Sequence, residues 1–113
     1  FQYGYECAMQ LLDENPELDA VIAALDIQGL GVIRALKERS VPMPDRVKVL
    51  SLTGHHLGGM LQTSMTSLEM PARQMGEKAA QMLISDIDAA AAGKPNSPVH
   101  ISFPHTLVER EST

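Results

Sequence analysis

Side chains able to contact a small polar ligand lie at the ends of two apolar segments of this sequence. Asp26 follows the apolar run over residues 18–25, and Thr53 opens the polar stretch Thr-Gly-His-His after residues 47–52. A carboxylate accepts hydrogen bonds and a hydroxyl both donates and accepts them, so both residues are candidates for contact with a ligand. Aspartate is also a favoured helix N-cap, and capping is an equally good interpretation of Asp26.

The elements around Asp26 predict that it lies at the edge of a parallel sheet. Residues 18–25 are almost continuously apolar, which is typical of a strand covered on both faces. Apolar residues then recur at helical spacing over residues 28–38, and a second strand is predicted over residues 47–52. A strand, helix and strand of this length favour a βαβ unit with parallel strands. Because ligands bind beyond the carboxyl ends of such strands, Asp26 and Thr53 are expected at one binding edge.

The remaining segments complete an α/β pattern. A first helix is predicted to end at Asn15-Pro16, a third strand to cover residues 64–70 and an amphipathic helix residues 72–88, with strands again at 99–103 and within 105–110. Gly29 and Gly31 are expected to allow close packing of a helix on the sheet. The sequence therefore predicts a three-layer α/β sandwich with a mostly parallel sheet, partly uncovered or completed by another chain.

Composition excludes several classes of function for these residues. The chain has 113 residues, enough for one domain, and a net charge of -5 without a basic cluster, which argues against direct contact with nucleic acid. No apolar run approaches the roughly 20 residues that span a bilayer. The single cysteine, Cys7, cannot form an internal disulfide, as is compatible with a reducing cytoplasm. The first residue is Phe1 and a helical pattern follows almost at once, so we expect a fragment of a longer protein.

Motifs for catalysis, metals and cofactors are weak. The four histidines lack the spacing of metal ligands, and the glycines do not follow a phosphate-binding pattern, so no metal and no cofactor are predicted. An enzyme using Asp26 and His55 as acid and base remains an alternative, but no third residue is in view to orient them. Glu109, Arg110 and Glu111 are interpreted as a solvated charged tail.

Five segments, in order, resemble the C-terminal part of LacI/GalR-family transcriptional regulators: residues 4–12, 18–38, 41–52, 64–83 and 107–113. The family's Leu-Thr-Thr-Val strand, Met-Gly helix and terminal Leu-Val-x-Arg-x-Ser are matched at Thr66, Met75, Gly76, Leu107, Val108, Arg110 and Ser112. The resemblance implies the C-terminal lobe of a periplasmic-binding-protein-like (type I) fold, incomplete. Residues 1–113 would form a partial effector-binding and dimerisation domain without the DNA-binding head and most of the N-terminal lobe, against which the helix over residues 72–88 would pack.

The resemblance also implies which residues contact the effector. The family's Asn-Asp motif at a strand end falls on Leu25 and Asp26, and its aspartate after the next strand falls on Thr53. Further contact positions fall on Met70 and Ala72. Leucine offers no hydrogen bond, so this site is expected to be less polar than a typical sugar site and to suit a sugar, a sugar phosphate or a less polar ligand.

The resemblance implies a homodimer as well. Its interface would contain Leu30 and Arg34 of the helix over residues 28–38, and Leu57, Met60 and Leu61 of the following loop.

Function follows from the family as an expectation. The chain would sense a small effector and dimerise within a cytoplasmic repressor, which is not an enzyme and which holds operator DNA through its N-terminal head. A periplasmic sugar-binding protein of a transport system, carrying a signal peptide, is the alternative.

Overall fold

The computed structural model describes residues 1–54, 56–95 and 97–113, without the side chains of His56 and Leu57. It contains the helices α1 (Gln2–Glu14), α2 (Asp26–Glu38) and α3 (Ala72–Ala91) and the strands β1 (Ala20–Ala23), β2 (Lys48–Gly54), β3 (Thr66–Glu69) and β4 (Thr106–Val108), with a short 3₁₀ helix over His56–Met60. Two compact units form: unit 1 comprises residues 1–69 and 106–113, and unit 2 comprises residues 70–105.

Unit 1 is built on one mixed sheet with the strand order β1-β2-β3-β4. β1 pairs in parallel with β2, with Ala20 opposite Lys48 and Ala23 opposite Ser51. β2 pairs in parallel with β3, and β4 runs antiparallel to β3. The predicted βαβ unit and the mostly parallel sheet are confirmed.

The core of unit 1 lies between α2 and one face of the sheet. Leu36 of α2 is almost fully buried against Val47, Val49 and Met65, which are inaccessible to solvent. Truncation of a leucine at such a site costs about 2–5 kcal/mol of stability. The other sheet face carries Ile22, Leu52 and Leu107, which are exposed. This sheet is therefore partly uncovered, as the sequence predicts.

Glycines bring α1 and α2 into backbone contact. A Cβ atom on Gly31 would lie 2.2 Å from the Phe1 carbonyl oxygen, and one on Gly4 would lie 2.2 Å from the Gln28 carbonyl oxygen. The expectation that Gly31 faces the sheet is therefore wrong, because the residue lies on the side of α2 that contacts α1. Gly29 does face the sheet, since a Cβ atom there would meet the Met65 sulfur at 2.4 Å.

Unit 2 consists of α3 and the segment that follows it. The helix ends at Ala91, three residues beyond the predicted end. Gly93 follows with a φ of +69°, and its amide donates to the Ala90 carbonyl at 3.0 Å. The strand predicted over residues 99–103 is wrong: residues 97–105 form no strand. Its alternating pattern is bounded by Pro98 and Pro104, which have no N–H group to donate to a ladder.

The apolar side chains of α3 are largely solvent-accessible. Leu83, Ile84 and Ile87 are about 60% exposed, whereas Met82 is half-buried. Within the part of the chain that the structure describes, no helix is long and apolar enough to cross a membrane.

Candidate effector-binding site

The carboxyl ends of β1 and β2 bring the first two candidate residues to one edge of unit 1. Because Ala23 lies opposite Ser51 in the parallel pair, the residues after β1 and the last residues of β2 are neighbours. Thr53 confirms this contact directly, since its hydroxyl donates to the Ala24 carbonyl oxygen at 2.7 Å. This hydrogen bond links the two strand ends, and the lone pairs of the Thr53 hydroxyl oxygen remain available as acceptors.

Asp26 begins α2 and is not its N-cap. The capping interpretation is wrong because Leu25, with an extended backbone, takes the N-cap position. Asp26 lies in the first turn, where a carboxylate is favoured by the partial positive charge of the helix end. It is only 7% exposed, so a ligand could reach only a small part of it.

Leu25 presents an apolar side chain at this edge. Its amide donates to the Gln28 side-chain oxygen at 3.3 Å, and its carbonyl accepts the amides of Gln28 and Gly29 at 2.9 and 3.0 Å. The backbone polar groups of Leu25 are therefore used within the helix start, while its side chain is 48% exposed. Next to it, Ile27 is also exposed. The edge is less polar than one lined by asparagine.

Met70 and Ala72 belong to unit 2. The Met70 carbonyl oxygen accepts the Ala72 amide at 2.8 Å across Pro71, and Ala72 is the exposed first residue of α3. Within unit 2 these two residues lie at the start of the helix, as the sequence predicts.

Glu69 is a polar residue of this edge that the sequence did not single out. It ends β3, lies opposite Gly54 of β2, and accepts a hydrogen bond from Arg110 Nη2 at 2.7 Å. One signal in the sequence could have pointed to the ion pair of Glu69 with Arg110. Glu69 follows the apolar Leu68 in β3, and successive side chains of a strand point to opposite faces of the sheet, so Glu69 lies on the face opposite to Leu68.

The interpretation as a solvated tail is wrong for Arg110 and Glu111, which bond other segments of unit 1, whereas Glu109 is exposed as expected. Arg110 also donates to the Met65 carbonyl and the Ser67 hydroxyl at 2.8 and 2.7 Å. Glu111 accepts both the amide and the hydroxyl of Ser64 at 2.8 and 2.9 Å, and these bonds hold the pKa of the Glu111 carboxyl below its usual value. The segment bonds backbone groups of β2 and β3, since the Val49 amide donates to the Ser112 carbonyl at 2.8 Å and the Thr66 amide donates to the Ser112 hydroxyl at 2.8 Å.

Three of the residues expected at a dimer interface, Leu30, Arg34 and Met60, are at least partly accessible to solvent in unit 1. Leu30 and Arg34 line a shallow depression of about 290 Å³ on α2, and Arg34 pairs with Glu38 at 3.1 Å. Met60 is 78% exposed, whereas Leu61 packs partly against the core. The side chain of Leu57 lies outside the described residues.

A broad depression of unit 1 lies at the other end of the sheet. It measures about 1080 Å³ and is lined by Lys48 at the start of β2, by Ser64 before β3 and by Glu111. This depression is not the predicted ligand-binding edge, because it is broad and open and lies at the amino ends of the strands.

The sequence also offered candidates for catalysis and metal binding. His55, the candidate base, falls outside the described residues. Among the side chains that the structure describes, no three His, Cys, Asp or Glu residues are grouped so as to hold a metal ion.

Comparison with known proteins places this geometry in a family. A family model described as a periplasmic binding protein-like domain matches residues 2–113. The regulator CelR of Thermobifida fusca is 30% identical over 99% of this chain and 32% of its own length. A ribose operon repressor of Halalkalibacterium halodurans is 30% identical over 91% of the chain and 30% of its own length. The chain thus spans about a third of the curated relatives it matches.

Solved structures show the same likeness. A LacI-family regulator of Sanguibacter keddieii superposes with a TM-score of 0.88 and 32% identity, covering 98% of this chain and 40% of that protein. A complex of CelR with cellobiose has a TM-score of 0.86 and 30% identity over 97% of this chain and 32% of that protein. A LacI-family regulator of Arthrobacter sp. FB24 bound to lactose has a TM-score of 0.81 and 29% identity, covering 97% and 40%.

Proposed function

The chain belongs to the periplasmic-binding-protein-like domain family as found in LacI-family transcriptional regulators, and from this we propose that it is the effector-sensing and dimerising part of such a regulator. The observation that carries the proposal is a match along 91–99% of the chain to DNA-binding regulators. The relatives named are regulators, not transport proteins or enzymes, so regulation is preferred to both alternatives.

The effector is proposed to be a small carbohydrate or its phosphate. Two similar regulators are named as complexes with lactose and cellobiose. In unit 1 the candidate contact residues are Leu25, Asp26 and Thr53. In unit 2 the family resemblance makes Met70 and Ala72 candidates as well. An exposed Leu25 and a Thr53 hydroxyl already bound to Ala24 favour an effector with an apolar face at the β1 end.

Association and DNA contact are proposed on separate surfaces. A second copy would contact Leu30, Arg34, Leu57, Met60 and Leu61. Operator DNA would be held outside these 113 residues, because they carry a net charge of -5 and no cluster of basic residues that would contact phosphate backbones. The exposed apolar residues of α3 would pack against the N-terminal lobe.

We also propose a cytoplasmic location, because a transcriptional regulator acts in the compartment that contains the DNA.

The gene itself tests the regulator proposal. Sequencing the DNA upstream of the codon for Phe1 is expected to reveal a helix-turn-helix segment in the same reading frame. A signal peptide there would overturn the proposal in favour of a transport-binding protein.

Calorimetry on the full gene product tests the site. We expect cellobiose, lactose or glucose 6-phosphate to bind, and Asp26→Asn to weaken that binding by about tenfold, since hydrogen bonds to charged groups contribute about 1.5–3 kcal/mol. Ser102→Ala, at an exposed position of unit 2, is the control. Equal affinity of the wild type and Asp26→Asn would remove Asp26 from the site.

A further inference from the structure

A third polar residue lies at the carboxyl edge of the sheet in unit 1. The strands β1, β2 and β3 are parallel neighbours, so their last residues lie at one edge, with adjacent strands about 4.8 Å apart. Asp26 follows β1, Thr53 lies near the end of β2, and Glu69 is the last residue of β3. Ligands of parallel sheets bind beyond this edge. Glu69 therefore shares an edge with two residues already proposed to contact the effector.

A β-bulge in β2 places a glycine beside Glu69. Ser51 lies opposite Ser67 and Gly54 lies opposite Glu69, so three steps along β2 match two steps along β3. The extra residue in β2 is a bulge, which changes the direction of the side chains around it. In a regular ladder Thr53 would lie opposite Glu69. The bulge puts Gly54 there instead.

The absence of a side chain at position 54 is required by the packing. A Cβ atom on Gly54 would lie 2.3 Å from the Cβ and Oγ atoms of Ser67 and 3.2 Å from the Cγ atom of Glu69. Thr53 is turned towards β1, where its hydroxyl bonds the Ala24 carbonyl. Neither Gly54 nor Thr53 therefore covers the Glu69 carboxylate from the side of β2.

Arg110 orients the Glu69 carboxylate. Its Nη2 donates to Glu69 Oε1 at 2.7 Å, and its Nη1 donates to the Met65 carbonyl and the Ser67 hydroxyl at 2.8 and 2.7 Å. The Glu69 side chain is 29% exposed, and no group in the described part of the chain bonds its second oxygen, Oε2. A carboxylate paired with a guanidinium accepts hydrogen bonds and donates none. Oε2 therefore suits a ligand that offers a hydroxyl donor.

The charges at this edge disfavour an anionic ligand. Asp26 and Glu69 are both acidic, and the Asp26 carboxylate already matches the partial positive charge at the start of α2. The Arg110 side chain is only 16% exposed, and both of its Nη atoms bond protein acceptors. The lysines of unit 1, Lys37 and Lys48, lie at the opposite ends of α2 and β2. A phosphate would therefore meet two carboxylates that Arg110 is too buried to offset.

We propose that Glu69 is a specificity-determining residue of this edge, that its Oε2 accepts a hydroxyl of the effector, and that the effector is an uncharged carbohydrate and not a sugar phosphate. The inference rests on the proposed function and narrows its class of effector. Arg110 acts on the ligand only through Glu69, as a positioning residue.

Calorimetry with matched ligands tests the proposal on the full gene product. The ligands are cellobiose, lactose and the 6-phosphate of each. We expect the wild type to bind at least one of the disaccharides, and to bind the 6-phosphate of that sugar about tenfold or more weakly.

The substitution Glu69→Gln separates the two ligand classes. The amide oxygen can still accept from Arg110, but an NH₂ group replaces the acceptor Oε2 and one negative charge is lost. The disaccharide should therefore bind about tenfold more weakly than to the wild type, whereas its 6-phosphate should bind as well as before or better. A general loss of structure would weaken both ligands.

Two further variants complete the experiment. Glu69→Asp keeps the charge and shortens the side chain, so it should weaken the disaccharide and still discriminate against the 6-phosphate. It also covers the case in which Glu69→Gln does not fold. Glu109→Gln makes the same change of charge at an exposed position at the other end of the sheet, and this control should bind all four ligands as the wild type does.

The contrary results are distinct. Unchanged disaccharide affinity in Glu69→Gln, or equal weakening of the disaccharide and its 6-phosphate, would refute the specificity role of Glu69. A wild type that prefers a 6-phosphate, or that binds none of the four ligands, would overturn the uncharged effector. A helix-turn-helix segment upstream of Phe1 would leave the regulator proposal standing in each of these cases, so the two proposals can fail separately.

Discussion

At the scale of single residues, a serine near the C-terminus joins two strands. The buried Ser112 hydroxyl bonds both the Val49 carbonyl and the Thr66 amide. Ser112→Ala would leave both backbone groups without this partner and should lower the free energy of unfolding by about 1–3 kcal/mol. Urea denaturation of the full gene product measures the loss. Ser102→Ala, at an exposed position, should shift the midpoint little, and an equal shift in both variants would contradict this account.

Glu111 should make stability depend on pH through the same segment. Its pKa lies below the ordinary value of 4.5, first because the Ser64 amide and then because the Ser64 hydroxyl bond the carboxylate. A carboxyl whose pKa is lower in the folded state stabilises that state above the unfolded pKa, and this contribution disappears as pH falls through the folded pKa.

The stability difference between the wild type and Glu111→Gln should therefore be full at pH 6 and shrink below about pH 4.5. Denaturation midpoints across this range measure it. A difference that stays constant down to acid pH would mean that charge on Glu111 contributes nothing. The group is exposed, so we expect the effect to weaken with added salt.

At the scale of elements, the contact of α1 with α2 depends on the absence of side chains. A Cβ atom on Gly31 would lie 2.2 Å from the Phe1 carbonyl oxygen and 2.6 Å from the Tyr5 amide nitrogen. These are backbone atoms, so the helices must move apart. Gly31→Ala should destabilise the fold by about 1–3 kcal/mol, although alanine favours a helix by about 1 kcal/mol over glycine.

Gly76 of α3 supplies the matched control for that substitution. No atom lies within 4 Å of a Cβ added there. Gly76→Ala should therefore show the helix preference alone and stabilise the protein by about 0.5–1 kcal/mol. Thermal and urea unfolding of both variants measure the two signs. Equal signs would mean that packing between α1 and α2 does not set the effect at Gly31.

At the scale of the whole molecule, local pattern predicted the elements and missed the contacts between distant segments. The apolar run before Asp26 and the helical spacing after it specified β1, α2 and their parallel partner, because a βαβ unit is encoded within one stretch of chain. The bonds of Arg110 join residues more than 40 positions apart, and no periodicity marks them. The pattern over residues 99–103 alternates like a strand, yet pairing needs a partner that bounding prolines do not favour.

The proposed dimer surface gives the last prediction. Met60 is 78% exposed, so replacing it should not disturb the core. If a second copy covers Met60, the interface is two-fold symmetric and contains residue 60 of both copies. Met60→Glu then places two carboxylates in a contact that should be apolar. Sedimentation velocity of the full gene product should then show the dimer constant weakened by about tenfold or more, which corresponds to about 1.4 kcal/mol.

Val99→Glu is the control for this measurement, because Val99 is similarly exposed but lies in unit 2. Association of that variant should match the wild type. Leu30→Glu on α2 should act with Met60→Glu, since a symmetric interface that contains both residues is weakened at either position. A dimer that tolerates both substitutions would exclude this surface, and the pairing of copies would have to be sought on the uncovered sheet face or on α3.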